Sequence, residues 1–252
     1  MTDVKSGEQQ QDDNDLVLSF LSVRRAIGAL GFFLPAALIL YGLFAPDGIL
    51  GSISAYYYTP MREVLVGTLC AQAVFLWSYE GYRPPVPEII TDRNVARVAS
   101  LGALGVALAP MAEAMAFKAP EAAPVTTDQP ITCTLTQCVL GEQATGLIHT
   151  ISAGMFFGAL AVFCLVLFVK GGTETPEKRA RQRIYRICGW TIVGSLILMA
   201  ALILTGLDDR LAALRPIFWL EVIASCAFAT SWAVKGKTLR PLVAMAMRAG
   251  ST

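Results

Sequence analysis

The sequence predicts an all-α, polytopic membrane protein: a six-transmembrane-helix bundle with both termini in the cytoplasm. Three observations carry that prediction. The 252-residue chain is 55% hydrophobic and only 15% charged, against about 25% charged in an average soluble domain, and its mean hydropathy is +0.56. Its apolar residues gather into six runs, each near the ~20 residues that span a bilayer. Its basic residues gather into alternate connections between those runs.

The six runs are roughly 26–44, 64–82, 96–116, 145–169, 185–206 and 216–234. The second is the shortest in strictly apolar terms, and the third is the least hydrophobic and carries Pro110. Residues 1–25 are expected to form a disordered cytoplasmic tail. They open on a polar, acidic stretch and not on a secretory signal, so the first run reads as an uncleaved anchor. The transmembrane domain covers 26–234, with a polar, proline-bearing outer loop at 117–143 and a basic cytoplasmic loop at 170–184. A cytoplasmic tail follows at 235–252.

Lys and Arg set the orientation. Lys5, Arg24 and Arg25 precede the first run, and Arg83, Arg93 and Arg97 lie between the second and third. Lys170, Lys178, Arg179, Arg181, Arg183 and Arg186 lie between the fourth and fifth, and Lys235, Lys237, Arg240 and Arg248 follow the sixth. The opposite side holds only Arg62, Lys118, Arg210 and Arg215. The excess belongs on the cytoplasmic side, and an even number of spans puts both termini there. The expected location is a bacterial inner membrane. Membrane lipids are the expected partners, the basic 170–184 loop drawing on anionic lipid. A net charge of +1 gives no reason to expect nucleic acid.

Cysteines agree with this sidedness. Cys133 and Cys138, in CTLTQC, fall in the outer loop, where an oxidising compartment permits a disulfide. Free thiols are the other reading. Cys70, Cys164, Cys188 and Cys226 fall within runs, as small packing residues. Gly154 and Gly158 form a GxxxG step and Gly67 and Ala71 a similar one. Such steps bring helix backbones together, within one bundle or, for Gly154 and Gly158, across a homo-oligomer.

An ionisable group inside a membrane helix is costly, so it has a partner or a task. Glu113, His149 and Glu221 lie inside runs, with Glu80 nearer an end beside Arg83 and expected to reach the cytoplasmic surface. His149 and Glu221 each lie about five residues, roughly 8 Å, from the outer end of their run. The outer segment GSISAYYYTP (51–60) adds Tyr56, Tyr57 and Tyr58 and is followed by Arg62, whose guanidinium suits a carboxylate or phosphate. Three successive tyrosines cannot all point one way, and an interfacial aromatic belt is their plainer role.

Single stretches carry a resemblance as well. SISAYYYTPMREVLVGTLCAQAVFLWSYEGY, GLIHTISAGMFF and FWLEVIASCAFATSWAVKG resemble the six-span bacterial inner-membrane proteins grouped as domains of unknown function. The resemblance implies topology and no activity. Alkaline-ceramidase and adiponectin-receptor hydrolases share a serine segment before a span, but this chain lacks their further histidines.

Its one histidine excludes bis-histidine haem within a subunit and a multi-histidine zinc site. No Walker, GxSxG or HExxH motif occurs, so no cofactor and no metal is expected. Three functions follow. The first is an outer-leaflet polar pocket, lined by His149, Glu221, Glu113, Arg62 and Tyr56–Tyr58, that binds a lipid head group or small amphiphile for sensing, transfer or transport. The second is an intramembrane lipid hydrolase or transferase, with His149 as base oriented by Glu221 and Ser52 or Ser54 as the nearest hydroxyls. The third is a non-catalytic subunit of a membrane complex.

Overall fold

A computed structural model of the chain describes residues 15–46, 48–82, 88–112, 133–171 and 175–248. Among these the molecule is helical throughout, with no strand. The helices are α1 (Asp15–Phe44), α2 (Arg62–Trp77), α3 (Asp92–Leu108), α4 (Leu135–Leu140), α5 (Glu142–Val162), α6 (Pro176–Thr205), α7 (Leu207–Arg210), α8 (Pro216–Lys235) and α9 (Arg240–Arg248). A 3-10 turn spans Ser54–Tyr58, and α5 runs on into a π-helical turn at Phe163–Leu167.

Among the described residues, four helices are long and apolar enough to cross a membrane, as in an integral membrane protein: Phe20–Phe44, Glu142–Leu167, Pro176–Thr205 and Ala212–Lys235. Their outward faces carry large apolar side chains such as Phe33, Leu43, Phe44, Ile151, Ile197 and Leu204. The helices that overlap 64–82 and 96–116 each start a few residues earlier and are shorter than those ranges, at 16 and 17 residues. They are about 24 and 26 Å long at 1.5 Å per residue.

Each boundary that differs from expectation has a local cause. α1 starts at Asp15, so residues 15–25 are helix rather than tail. Arg25 Nε, in this stretch, donates to the Gly236 carbonyl at 3.1 Å. α3 stops at Leu108 because Pro110 disfavours helical geometry in the residue before it. Ala109 is accordingly extended, at φ −109 and ψ 107. α6 starts at Pro176, so most of the basic 170–184 segment is helix rather than loop. Thr175 accepts from the Lys178 N–H, Pro176 takes the first turn, and the charged residues that follow are good helix formers. α9 occupies part of the C-terminal tail and packs its buried Val243 beside α6. Within the expected loop 117–143, α4 forms behind a capping box of Thr134 and Gln137. Cys133 and Cys138 flank its first turn at disulfide distance, Cα–Cα 5.3 Å.

Six helices close a ring in which each packs on its neighbour: α1, α2, α3, α5, α6, α8 and back to α1. Glycine sets the tightest seam. A Cβ on Gly102 of α3 would stand 2.7 Å from the Phe156 backbone nitrogen of α5, and one on Gly105 would strike Ser152. Gly154 and Gly158 do not serve this seam. Space around both is open, as it is around Gly67, so those steps face away from the bundle's own helices. Two cores fill the ring. One centres on Trp232, Tyr79 and Phe163, the other on Tyr56, Leu38 and Phe218 at the end bearing the 51–60 segment.

Candidate functional site

The 51–60 segment folds over its end of the ring and is held by hydrogen bonds from three directions. Its 3-10 turn has about three residues per revolution, so consecutive side chains point roughly 120° apart. The tyrosines separate accordingly. Tyr56 is fully buried, against Tyr41 (ring centroids 6.2 Å) and Phe218 (6.1 Å), and its hydroxyl accepts from the Leu50 N–H at 3.2 Å. Burial pushes its phenol above the usual range, so it stays neutral. Tyr57 lies beneath Arg62, whose guanidinium sits 4.6 Å from its ring centroid and donates to its hydroxyl at 3.3 Å. Tyr58 donates to the Met111 carbonyl at 2.6 Å and accepts from Gln137 Nε2 at 3.1 Å. The run thus cross-links the loop to α3's exit and to α4.

His149 is buried on α5 and makes two bonds. Nδ1 lies 2.8 Å from the Ala109 carbonyl, and Nε2 lies 3.0 Å from Ser54 Oγ. A carbonyl can only accept, so Nδ1 carries the proton. In the neutral ring Nε2 is then the acceptor, and the Ser54 hydroxyl donates to it. The Ala109 carbonyl is free for this because α3 ends there. A continuing helix would have engaged it four residues on.

Glu221, one turn into α8, does not meet His149. Its Oε2 accepts the Ile53 backbone N–H at 2.5 Å. His149 and Glu221 therefore grip adjacent residues, 54 and 53, of one loop. The expected pairing in which Glu221 orients His149 is replaced by the Ala109 carbonyl. Ser52 Oγ turns to Met111 Sδ at 3.4 Å and accepts from the Ala55 N–H at 3.0 Å. Of the two serines, only Ser54 reaches the imidazole.

Beneath the loop, in the centre of the ring, is a cavity of about 50 Å³. Ser54, Gln72, Glu221 and Ser225 are its polar lining, and the remainder includes Leu34, Leu65, Val106 and Phe156. Five of the six ring helices contribute to it. Pro35 of α1 also lines it. It has no N–H to offer, so the Gly31 carbonyl, on the same wall, loses its helical partner. Since a water occupies about 30 Å³ in the liquid, the closed cavity suits one or two small groups. No Lys or Arg lines it.

The other expected site residues fall elsewhere. Arg62 is exposed and engaged with Tyr57, outside the cavity. Glu113 lies outside the described residues. Glu80 pairs with Arg93 at 3.4 Å. Among the described residues, no three His, Cys, Asp or Glu side chains gather closely enough to hold a metal ion. Gln72 was not among the expected residues, although a glutamine in the apolar run of α2 is a signal of the same kind as His149. No family model, curated protein or solved structure matches this chain.

Proposed function

We propose that the chain is a six-span protein of the bacterial inner membrane, with cytoplasmic termini, whose central cavity receives the polar end of a lipid or small amphiphile from the outer leaflet. α2 and α3 count as spans in this reading because they are full members of the closed ring. The bias of Lys and Arg gives the orientation.

The observation that carries the reading is the cavity itself: four polar side chains converge on an otherwise apolar wall. Apolar walls carrying a few polar groups are the usual make-up of a small-molecule site, and at about 50 Å³ this one admits only the polar tip of a ligand. With one carboxyl and no cation on the wall, an uncharged or cationic end fits better than a phosphate. Arg62, exposed on Tyr57 and outside the cavity, is the candidate for an anionic group.

Photo-crosslinking tests this. A monoacylglycerol analogue with a diazirine near its polar end, added to the full chain in lipid nanodiscs, should label peptides containing residues 31–35 and 153–157. Filling the cavity by Ala153→Trp should remove that labelling. Labelling confined to outward positions such as Ile197 and Leu204, unchanged by Ala153→Trp, would refute the pocket.

A further inference from the structure

We infer that Ser54 is a nucleophile, that His149 is its general base, and that the cavity carries out acyl transfer from an uncharged carboxylic ester to water. This rests on the reading of the cavity as an amphiphile pocket. It goes further by naming the reacting bond.

Three features support it. The first is the Ser54 Oγ to His149 Nε2 distance of 3.0 Å, within the reach a nucleophile and its base require. The second is the tautomer. The Ala109 carbonyl holds the proton on Nδ1 at 2.8 Å and leaves Nε2 bare toward the hydroxyl, the arrangement a base needs. In hydrolases of this type an acid commonly fills the orienting place, and here a peptide carbonyl does. The third is placement. Ser54 lines the cavity while His149 stands behind it, outside the lining. A substrate in the cavity would therefore meet the hydroxyl first.

The wall selects the substrate. It offers apolar surface and no cation for a phosphate, and at about 50 Å³ it has room for the ester group itself, with the acyl chain extending beyond it. The reaction balances without any group beyond water. Ser54 Oγ attacks the ester carbonyl carbon as its proton passes to His149 Nε2. The tetrahedral intermediate collapses, the carbon–alkoxide bond breaks, and the leaving oxygen takes that proton as an alcohol. Water then attacks the acyl-serine, giving its proton to Nε2. The acyl–Oγ bond breaks, Ser54 recovers a proton, and a carboxylic acid departs. Gln72, with the only side-chain N–H on the cavity wall, is the group placed to donate to charge on the carbonyl oxygen. Glu221 is a positioning residue, holding the Ile53 N–H next to the nucleophile.

The test uses the full chain in nanodiscs and an alkyl fluorophosphonate, on which a serine oxygen displaces fluoride. Peptide mapping should find the adduct on Ser54, and Ser54→Ala should abolish it. His149→Gln should slow it on the order of 10²-fold or more, as expected when a general base is removed. Release of nitrophenol from p-nitrophenyl butyrate should follow the same pattern. An adduct on another residue, or His149→Gln reacting at the wild-type rate, would overturn the inference. So would inertness to both reagents. If the monoacylglycerol analogue still crosslinks to the cavity in that inert protein, the pocket stands and only the chemistry falls. If crosslinking is lost as well, both readings fall.

Discussion

The two ends of the helical ring solve the burial of polar groups in opposite ways. At the end bearing the 51–60 loop, polar atoms are paired one by one. His149 meets Ser54 and Ala109, Glu221 meets Ile53, and Tyr58 meets Met111 and Gln137. At the opposite end aromatic rings do the packing. Trp232 contacts Tyr79, Phe163 and Phe168 with ring centroids 4.9–5.4 Å apart. Cations there lie over ring faces: Arg24 is 5.7 Å from Tyr79 and Lys235 is 4.8 Å from Phe168. Even so, Trp232 Nε1 is left without a hydrogen-bond partner among the described residues. The aromatic end tolerates such a loss because its energy comes from contact area. The loop end depends on geometry, so a single missing acceptor there moves a site.

Substitutions can break or sharpen this contrast. The largest effect is expected from Trp232→Ala, which empties the centre of the aromatic cluster. It should cost about 3–5 kcal/mol, read as a steep fall in thermal unfolding temperature in nanodiscs, with Ser54 chemistry retained in whatever fraction stays folded. Gly102→Ala comes next. A methyl there meets the α5 backbone, and overpacking of this kind costs about 1–3 kcal/mol. It should also push α5 from α3 and slow fluorophosphonate labelling, because His149 and Ala109 sit on opposite sides of that seam.

Glu221→Ala leaves the Ile53 N–H without its acceptor, at a cost of about 1–2 kcal/mol. Glu221→Gln restores an acceptor and should recover most of it. Equal loss in both variants would mean that the charge matters, not the hydrogen bond. The smallest effect belongs to Gly154→Ala. The site is open, so stability should rise by up to about 1 kcal/mol from helix propensity alone, read as a slightly higher unfolding temperature. A marked fall, together with a change in oligomeric state, would instead show that copies of the chain meet there.

Much of the helical layout was legible in the chain. α8 was expected at 216–234 and runs Pro216–Lys235, because proline at a first turn marks a start without ambiguity. α6 was misjudged at its beginning. Its cluster of Lys and Arg read as loop, although those residues favour helix and Thr175-Pro176 is a start signal. α3 was overextended through Pro110. At the site, His149 and Glu221 were legible from the cost of burying them. Their partners were not. Ser54 reaches His149 only through the path of a non-regular loop. The Ala109 carbonyl becomes available only because a helix ends, and a main-chain acceptor leaves no trace in side-chain identity. Equal depth permitted the two ionisable groups to meet but did not require it. Both were satisfied by loop backbone and hydroxyl instead.

The closure of the ring between α1 and α8 has a consequence for how the molecule is made. Of the six ring helices α1 is made before the others, and one of its two ring neighbours is α8, the last of them. Until α8 is inserted, the flank of α1 that carries Gly28 and Gly31 faces lipid, and the central cavity is an open groove. A chain arrested before Pro216 would lack Glu221, Ser225 and Phe228 from its wall and the Gly236 carbonyl that holds Arg25. α8 must be made and packed before the cavity exists, so a nascent chain that stops short of it cannot hold the site.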